Sequence, residues 1–240
     1  MIHHELRGNV ALVTIDRPER RNAVDRDALD GLMAAIEASA GVRSLVLTGA
    51  GGHFCAGADL TGVEDASFAA ILRRVLDGLR DAPFPTIAAI DGAALGAGTQ
   101  LAVACDLRVS TAGASFGIPA GRLGLAVDHW TVQRLAMLAG QGPARAMLLA
   151  AEVLKGDEAL AIGLVQRIGD LDDALGWADE IAALAPLTLR AHKVALNKLE
   201  AEVGGDPDVR AAFDTAWGSD DLQEGIAAFR EKRLPIFHGR

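Results

Sequence analysis

The chain has no tyrosine, and aromatic residues make up only 4% of it. It has two cysteines, Cys55 and Cys105, at no metal-ligand spacing. Two such thiols build no disulfide framework, so a reducing compartment is the default. Positive charge is also scarce. Lys and Arg number 23 against 32 Asp and Glu, for a net charge of -9. Generic nucleic-acid binding needs a basic face, so that class is excluded. No apolar run reaches the roughly 18 to 20 residues of a membrane span. Residues 1–10 carry no secretory apolar core. The expectation is a cytoplasmic protein with no metal site, no membrane span and no nucleic-acid partner.

What is present is small and apolar. Hydrophobic residues are 50% of the 240 and charged residues 23%, enough for a large core. Alanine and glycine supply much of it, which lets elements pack closely and lean on subunit contacts. The length suits one α/β domain, or a domain with a small appendage. Apolar spacing predicts strands over 10–15, 43–47, 86–90 and 107–110. It predicts helices over 25–40, 67–80 and 99–104 between them. This alternation implies a parallel-type layered sheet. After Asp128 strand patterns thin out. Helical spacing dominates at 130–138, 144–149, 157–162, 171–184, 187–199, 209–217 and 222–232.

Two glycine-rich turns interrupt the first half. One runs Phe54-Cys55-Ala56-Gly57-Ala58-Asp59-Leu60, the other Ala94-Leu95-Gly96-Ala97-Gly98. Each follows a strand-like run. Small residues let backbone N–H groups approach a ligand. An N–H at a helix start is also an orphan donor backed by a favourable dipole. Two such donors aimed at one point stabilise charge developing on a carbonyl oxygen. Taken singly, Gly57, Gly96 and Gly98 fit plain turn geometry equally well. As a pair, the turns point to binding.

The two turns, in this order and spacing, resemble those of the crotonase superfamily, the enoyl-CoA hydratase/isomerase family. Three further stretches agree: Arg17-Pro18 with Asn22-Ala23, Cys105-Asp106-Leu107-Arg108, and Ala228-Phe229-Arg230-Glu231-Lys232-Arg233. The resemblance spans nearly the whole chain. It implies an α/β spiral of β-β-α units over 1–185 and a C-terminal helical oligomerisation region over 186–240. It implies a homo-trimer or dimer of trimers, and a coenzyme A thioester as ligand with no other cofactor. By the same resemblance Ala58 and Ala97 supply the oxyanion N–H groups. Coenzyme contacts fall on Arg17, Arg21, Ala23, Val24, Ala56, Asp59 and Leu60. Phe213 and Lys232 match positions that reach a neighbouring subunit's coenzyme. The acyl pocket is expected at Leu72, Val75, Leu76, Leu125, His129 and Trp130.

Two positions depart from the pattern. The family's hydratases use a pair of glutamates for general acid/base work. The first lies three residues after the second oxyanion donor, and here that is Gln100. The second is counted from the Phe116-Gly117 pair, and here its place is taken by Ala120. A glutamine side chain can hold a water but is no base near neutral pH, and alanine does no proton chemistry. Asp128 remains. It matches an aspartate that takes part in catalysis in some isomerases and dehalogenases of the family. It is also a favoured residue to cap the helix that follows. His53 reads as a loop residue, and Asp106 with Arg108 as a structural polar network.

Two functions are therefore expected. One is a fatty acyl-CoA binder with weak or no hydratase activity, serving fatty-acid synthesis or oxidation partners. Gln100, Ala120 and Asp128-His129-Trp130 resemble a mycobacterial hydratase-like subgroup of that kind. The other is an active hydratase- or isomerase-type enzyme that uses Asp128.

Overall fold

The computed structural model describes residues 1–59, 67–199 and 207–238. Its first layer grows from strand β1 (Ile2–Arg7), strand β2 (Val10–Ile15), helix α1 (Arg26–Ala38), strand β3 (Ser44–Gly49), helix α2 (Ser67–Asp81) and strand β4 (Thr86–Ile90). Strand β5 (Ala93–Leu95), helix α3 (Ala97–Ala104), strand β6 (Leu107–Ser110) and strand β7 (Ser115–Gly117) follow. Helices α4 (His129–Ala139) and α5 (Gln141–Leu149), strand β8 (Val153–Lys155), helix α6 (Gly156–Ala161) and strand β9 (Arg167–Ile168) come next. The chain continues through helices α7 (Leu171–Ala182), α8 (Pro186–Lys198), α9 (Pro207–Trp217) and α10 (Asp220–Glu231).

The main sheet has the order β1-β2-β3-β4-β6-β9, and a second sheet has the order β5-β7-β8. Side chains alternate across a strand, so each strand feeds two layers. Val10 and Leu12 of β2, Val46 of β3 and Ile87 of β4 pack with Ala174, Ala178 and Ile181 of α7. Ala11, Val13 and Ile15, with Leu45 and Leu47, pack on the opposite face with α1, α2 and α3. With both faces covered, the central strands read as continuous apolar runs. The outcome is a layered α/β fold, with helices on both faces of the main sheet.

The sheet is mixed rather than purely parallel. Strand β1 pairs antiparallel with β2, Ile2 opposite Ile15, and β8 pairs antiparallel with β7. The sequence Ile-His-His-Glu-Leu-Arg of β1 is an exposed edge with no apolar run, so spacing alone did not predict a strand there. Strands β8 and β9 have three and two residues, too short to carry a period. Helix α3 starts at Ala97, two residues before the predicted start.

Buried cations tie the layers together. Lys193 of α8 donates to the carbonyls of Leu79 at 3.1 Å and Phe84 at 3.0 Å, and to Asp106 at 2.6 Å. Arg108 is buried, with no carboxylate partner among the described residues. Its guanidinium donates to the carbonyls of Ala102, Cys105, Asp106 and Leu164. Burial, then the nearby Arg134, lowers its pKa to about 10, so it stays charged at neutral pH. Arg134 donates to the Val103 carbonyl at 2.9 Å. Two cations thus close the C-terminal end of α3, where helix carbonyls are orphaned and the dipole is negative. No helix of the described residues is long and apolar enough to cross a membrane.

Candidate functional site

The opposite end of α3 meets the first glycine-rich turn. Cys55 donates its N–H to the Ala93 carbonyl at 2.8 Å, and Leu95 donates back to Cys55 at 3.0 Å. The first turn is held on its other side by Val24, which donates to Gly57 at 2.9 Å and accepts from Asp59 at 2.8 Å. Two glycines are sterically required. Gly57 has φ +122°, and a Cβ on Gly98 would lie 2.0 Å from the Cys55 carbonyl oxygen. Ala58 and Ala97 keep ordinary negative-φ backbone. Among the described residues neither of their N–H groups has a backbone acceptor. Ala97 is the first residue of α3, so its N–H is one of the helix's four orphans.

These turns open on a cavity of about 430 Å³ lined by Ala56, Gly57, Ala58, Leu95, Gly96 and Ala97. Gln100 and Ala120 line it as well. Phe68 and Leu72 of α2, with Leu125, form apolar wall. Phe213 and Trp217 of α9 and Phe229 of α10 close the far side. Trp217 is fixed there by donating to the Ala126 carbonyl at 2.9 Å. Gln100, Ala120, both turns and Asp128 therefore share one cavity.

Several expected pocket residues stand elsewhere. Val75 and Leu76 are buried in the layer between α1 and α2 and do not line the cavity. They lie one turn beyond Leu72 on the same helix face, where that face runs on into the core. His129 and Trp130 do not line it either. The Trp130 ring is turned to α2, with the Arg73 guanidinium 4.4 Å from its centroid.

Asp128 is the N-cap of α4. Its carboxylate accepts from the Thr131 N–H at 2.8 Å, the Thr131 hydroxyl at 3.3 Å and Arg73 at 3.4 Å. Arg73 is also paired with Asp77 at 2.5 Å. Gln100 donates its amide to the Thr131 hydroxyl at 2.9 Å. Asp128 is the one carboxylate among the described lining residues.

The expected coenzyme loop is internally committed. Arg17 pairs with Asp25 at 2.7 Å and Asp59 at 3.3 Å, and donates to the Ala23 carbonyl. Arg21 is exposed, with φ 50°, and its carbonyl accepts from Ala56. Val24 is fully buried. Leu60 lies outside the described residues. Phe213 faces this chain's own cavity, against Trp217 at 5.8 Å. Lys232 caps α10 in the left-handed region, exposed and away from the cavity lining.

Sequence reasoning missed several residues that matter. Asn22 is buried, donates to the carbonyls of Ala50 at 2.7 Å and His53 at 2.6 Å, and accepts from the Arg17 N–H. It joins the coenzyme loop to the first turn, and its φ of 59° suits asparagine. Thr131, three residues past an Asp N-cap, is legible only as a helix start. Arg233 lines the cavity rim and is gripped by Glu224 at 2.5 and 2.8 Å. His53 accepts from the Ala93 N–H at 3.1 Å, the loop role expected. The Asp106 carboxylate accepts from Thr86 and Lys193 and its backbone carbonyl from Arg108, so its network is structural. Burial pushes both cysteine thiols up to about 12, which leaves them inert.

Residues 5–240 match the family model described as enoyl-CoA hydratase/isomerase. The chain is 45% identical over 235 residues to the probable enoyl-CoA hydratase echA6 of Mycobacterium tuberculosis, with 96% of each chain covered. It is 35% identical over 248 residues to the short-chain-enoyl-CoA hydratase of Clostridium acetobutylicum, covering 95% of this chain and 94% of that one. Among solved structures, methylmalonyl-CoA decarboxylase in complex with 2-nitronate-propionyl-CoA superposes with a TM-score of 0.90. It covers 100% of this chain and 98% of that one at 23% identity, a likeness of fold alone.

Proposed function

The chain belongs to the enoyl-CoA hydratase/isomerase family, and we propose that it binds fatty acyl-CoA thioesters with weak or absent hydratase activity. One observation carries the reading. The cavity keeps the N–H groups of Ala58 and Ala97, yet Gln100 and Ala120 stand where the resemblance calls for two acid/base groups. The N–H pair grips the thioester carbonyl. Coenzyme contacts come from the loop at Arg17, Arg21 and Ala23 and from the first turn, with buried Val24 holding that turn in place. General acid/base groups contribute on the order of 100- to 10,000-fold each, so losing both leaves little hydration. Binding without a proton relay is not turnover.

The region 186–240 serves oligomerisation in this reading, as a trimer or dimer of trimers. Leu187, Leu196 and Leu199 are exposed large apolar residues on or beside α8, which supports a covered face there. The natural partners are enzymes of fatty-acid synthesis or oxidation.

The test mixes the protein with crotonyl-CoA and longer enoyl-CoA esters and follows the conjugated absorbance. Slow or absent loss is expected, and turnover at ordinary hydratase rates refutes the binder. Calorimetry with acyl-CoA esters of rising length is expected to show binding, and no binding at any length refutes it. A second reading rests on Asp128 lining the cavity. An isomerase would use it as base, and Asp128→Asn would then abolish double-bond migration in enoyl-CoA esters.

A further inference from the structure

The face of α8 turned to the end of α2 is polar. Arg190, Lys193, Asn197 and Lys198 recur at helical spacing, which puts them on one side of the helix. With Arg80 and Asp81 of α2 they line a second cavity of about 430 Å³, which shares no residue with the one at the two turns. That volume lies within the roughly 300–1,000 Å³ of small-molecule sites.

Most of the polar groups there are already engaged. The C-terminal end of a helix repels anions through its orphan carbonyls. Here Lys193 takes the Leu79 carbonyl at 3.1 Å and Asn197 takes the Arg80 carbonyl at 2.8 Å. Lys193 is also paired with Asp106 at 2.6 Å. Asp81, the one carboxylate among the described lining residues, accepts from Arg80 at 2.8 and 2.7 Å. These two ion pairs cancel in charge. Arg190 and Lys198 remain, with no carboxylate partner among the described residues. The chain has 32 acidic against 23 basic side chains, so two uncompensated cations at one cavity do not reflect a generally basic surface.

We propose that this cavity binds a diphosphate group, as the inorganic ion or carried on a small molecule. The Arg190 guanidinium presents a planar fork that matches two phosphoryl oxygens, and the Lys198 ammonium adds a mobile point charge. The two residues are eight apart, about 12 Å along the axis of α8. Cations at both ends of the cavity suit an anion with two charged centres better than a lone phosphate. The covered end of α2 between them no longer opposes an anion. Leu199 stands about half a turn round the helix from Asn197, so contact between copies through that exposed leucine leaves the cavity open.

Calorimetry on the full chain, in low-salt buffer, compares orthophosphate, pyrophosphate and ADP. Pyrophosphate is expected to bind once per chain, about tenfold or more tighter than orthophosphate, and to raise Tm. ADP binding tighter than pyrophosphate identifies a nucleotide as the source, and equal affinity identifies the diphosphate alone. The Arg190→Ala, Lys198→Ala double variant removes two unpaired cations, so its ligand-free Tm is expected to stay within about 2 °C. Its pyrophosphate affinity is expected to fall about tenfold or more. Arg74→Ala with Arg145→Ala makes the same charge change at two other exposed positions, and is expected to lower affinity about twofold or less. Equal losses in the two double variants reduce the effect to net charge and overturn the site. Pyrophosphate binding that coenzyme A displaces, undiminished in the Arg190, Lys198 variant, belongs to the coenzyme loop and overturns it as well. So does an absence of binding at millimolar pyrophosphate.

Discussion

Gln100→Glu is expected to destabilise the protein at neutral pH. The Thr131 hydroxyl bridges Gln100 and Asp128 at 2.9 and 3.3 Å, so Gln100→Glu brings a second carboxylate within about 6 Å of the first. One hydroxyl proton cannot serve both. At an effective dielectric of 20, two charges 6 Å apart repel by about 3 kcal/mol. Asp128 is 28% exposed and the cavity admits water, so screening trims this to about 2 kcal/mol.

The sign follows from linkage. The repulsion holds the new carboxyl protonated in the folded state, with a pKa above its unfolded value. The penalty is absent below the unfolded pKa and grows as pH rises through and beyond it. Urea unfolding at pH 4 and pH 8 reads the effect directly. Gln100→Glu is expected to cost about 2 kcal/mol more at pH 8 than at pH 4, below the ordinary glutamate range. Adding Asp128→Asn is expected to remove most of that cost, and the double-mutant cycle measures the coupling. Coupling below about 0.5 kcal/mol, or a penalty that grows on acidification, refutes the bridged geometry.

Further outcomes can be checked independently. Gly98→Ala puts a Cβ 2.0 Å from the Cys55 carbonyl oxygen, a backbone atom that cannot yield cheaply. It is expected to cost about 2–3 kcal/mol in urea unfolding and to lose acyl-CoA binding by calorimetry. Lys193→Met strips a buried ammonium from Asp106 and two carbonyls. A loss of about 3 kcal/mol is expected, and less than about 1 contradicts its anchoring role. The Arg233 guanidinium, then the Ile236 N–H, lowers the Glu224 pKa to about 2. The stability this pair gives is present above the ordinary carboxyl range and is lost as pH falls toward 2. Carboxyl NMR titration is expected to show that low midpoint, and Arg233→Ala to raise it. Cys55 and Cys105 are expected to resist Ellman's reagent at pH 8 until the chain is unfolded, because burial holds both thiols protonated.

The parts that were legible in the sequence are those governed by near neighbours. Strand β6 appears at 107–110 as spacing predicts, because its apolar run and its length are local facts. The glycines of the two turns were legible because only glycine serves at Gly57 and Gly98, for backbone reasons a sequence can carry. Counting from Ala97 also found Gln100. What that amide does was not legible, because its orientation depends on Thr131, 31 residues on, and through it on Asp128. The Asp106 partner was missed for the same reason, since Lys193 lies 87 residues away. A charged residue in a helix reads as a solvated face until tertiary contacts bury it.

That difference of range bears on how the site works. Helix α3 carries Ala97 at its start and Gln100 one turn on, while Arg108 and Arg134 hold the carbonyls at its end. Among the described residues Arg108 has no carboxylate to neutralise it, so its burial is tolerated only because four carbonyls and Gln166 surround it. Carbonyls at that end of α3 are the negative end of the same dipole whose positive end faces the cavity. The cation pair therefore fixes the helix along its axis and strengthens the field at Ala97 together. Gln100 travels with that helix, so its distance from the Ala97 N–H is set by one rigid turn rather than by a loop.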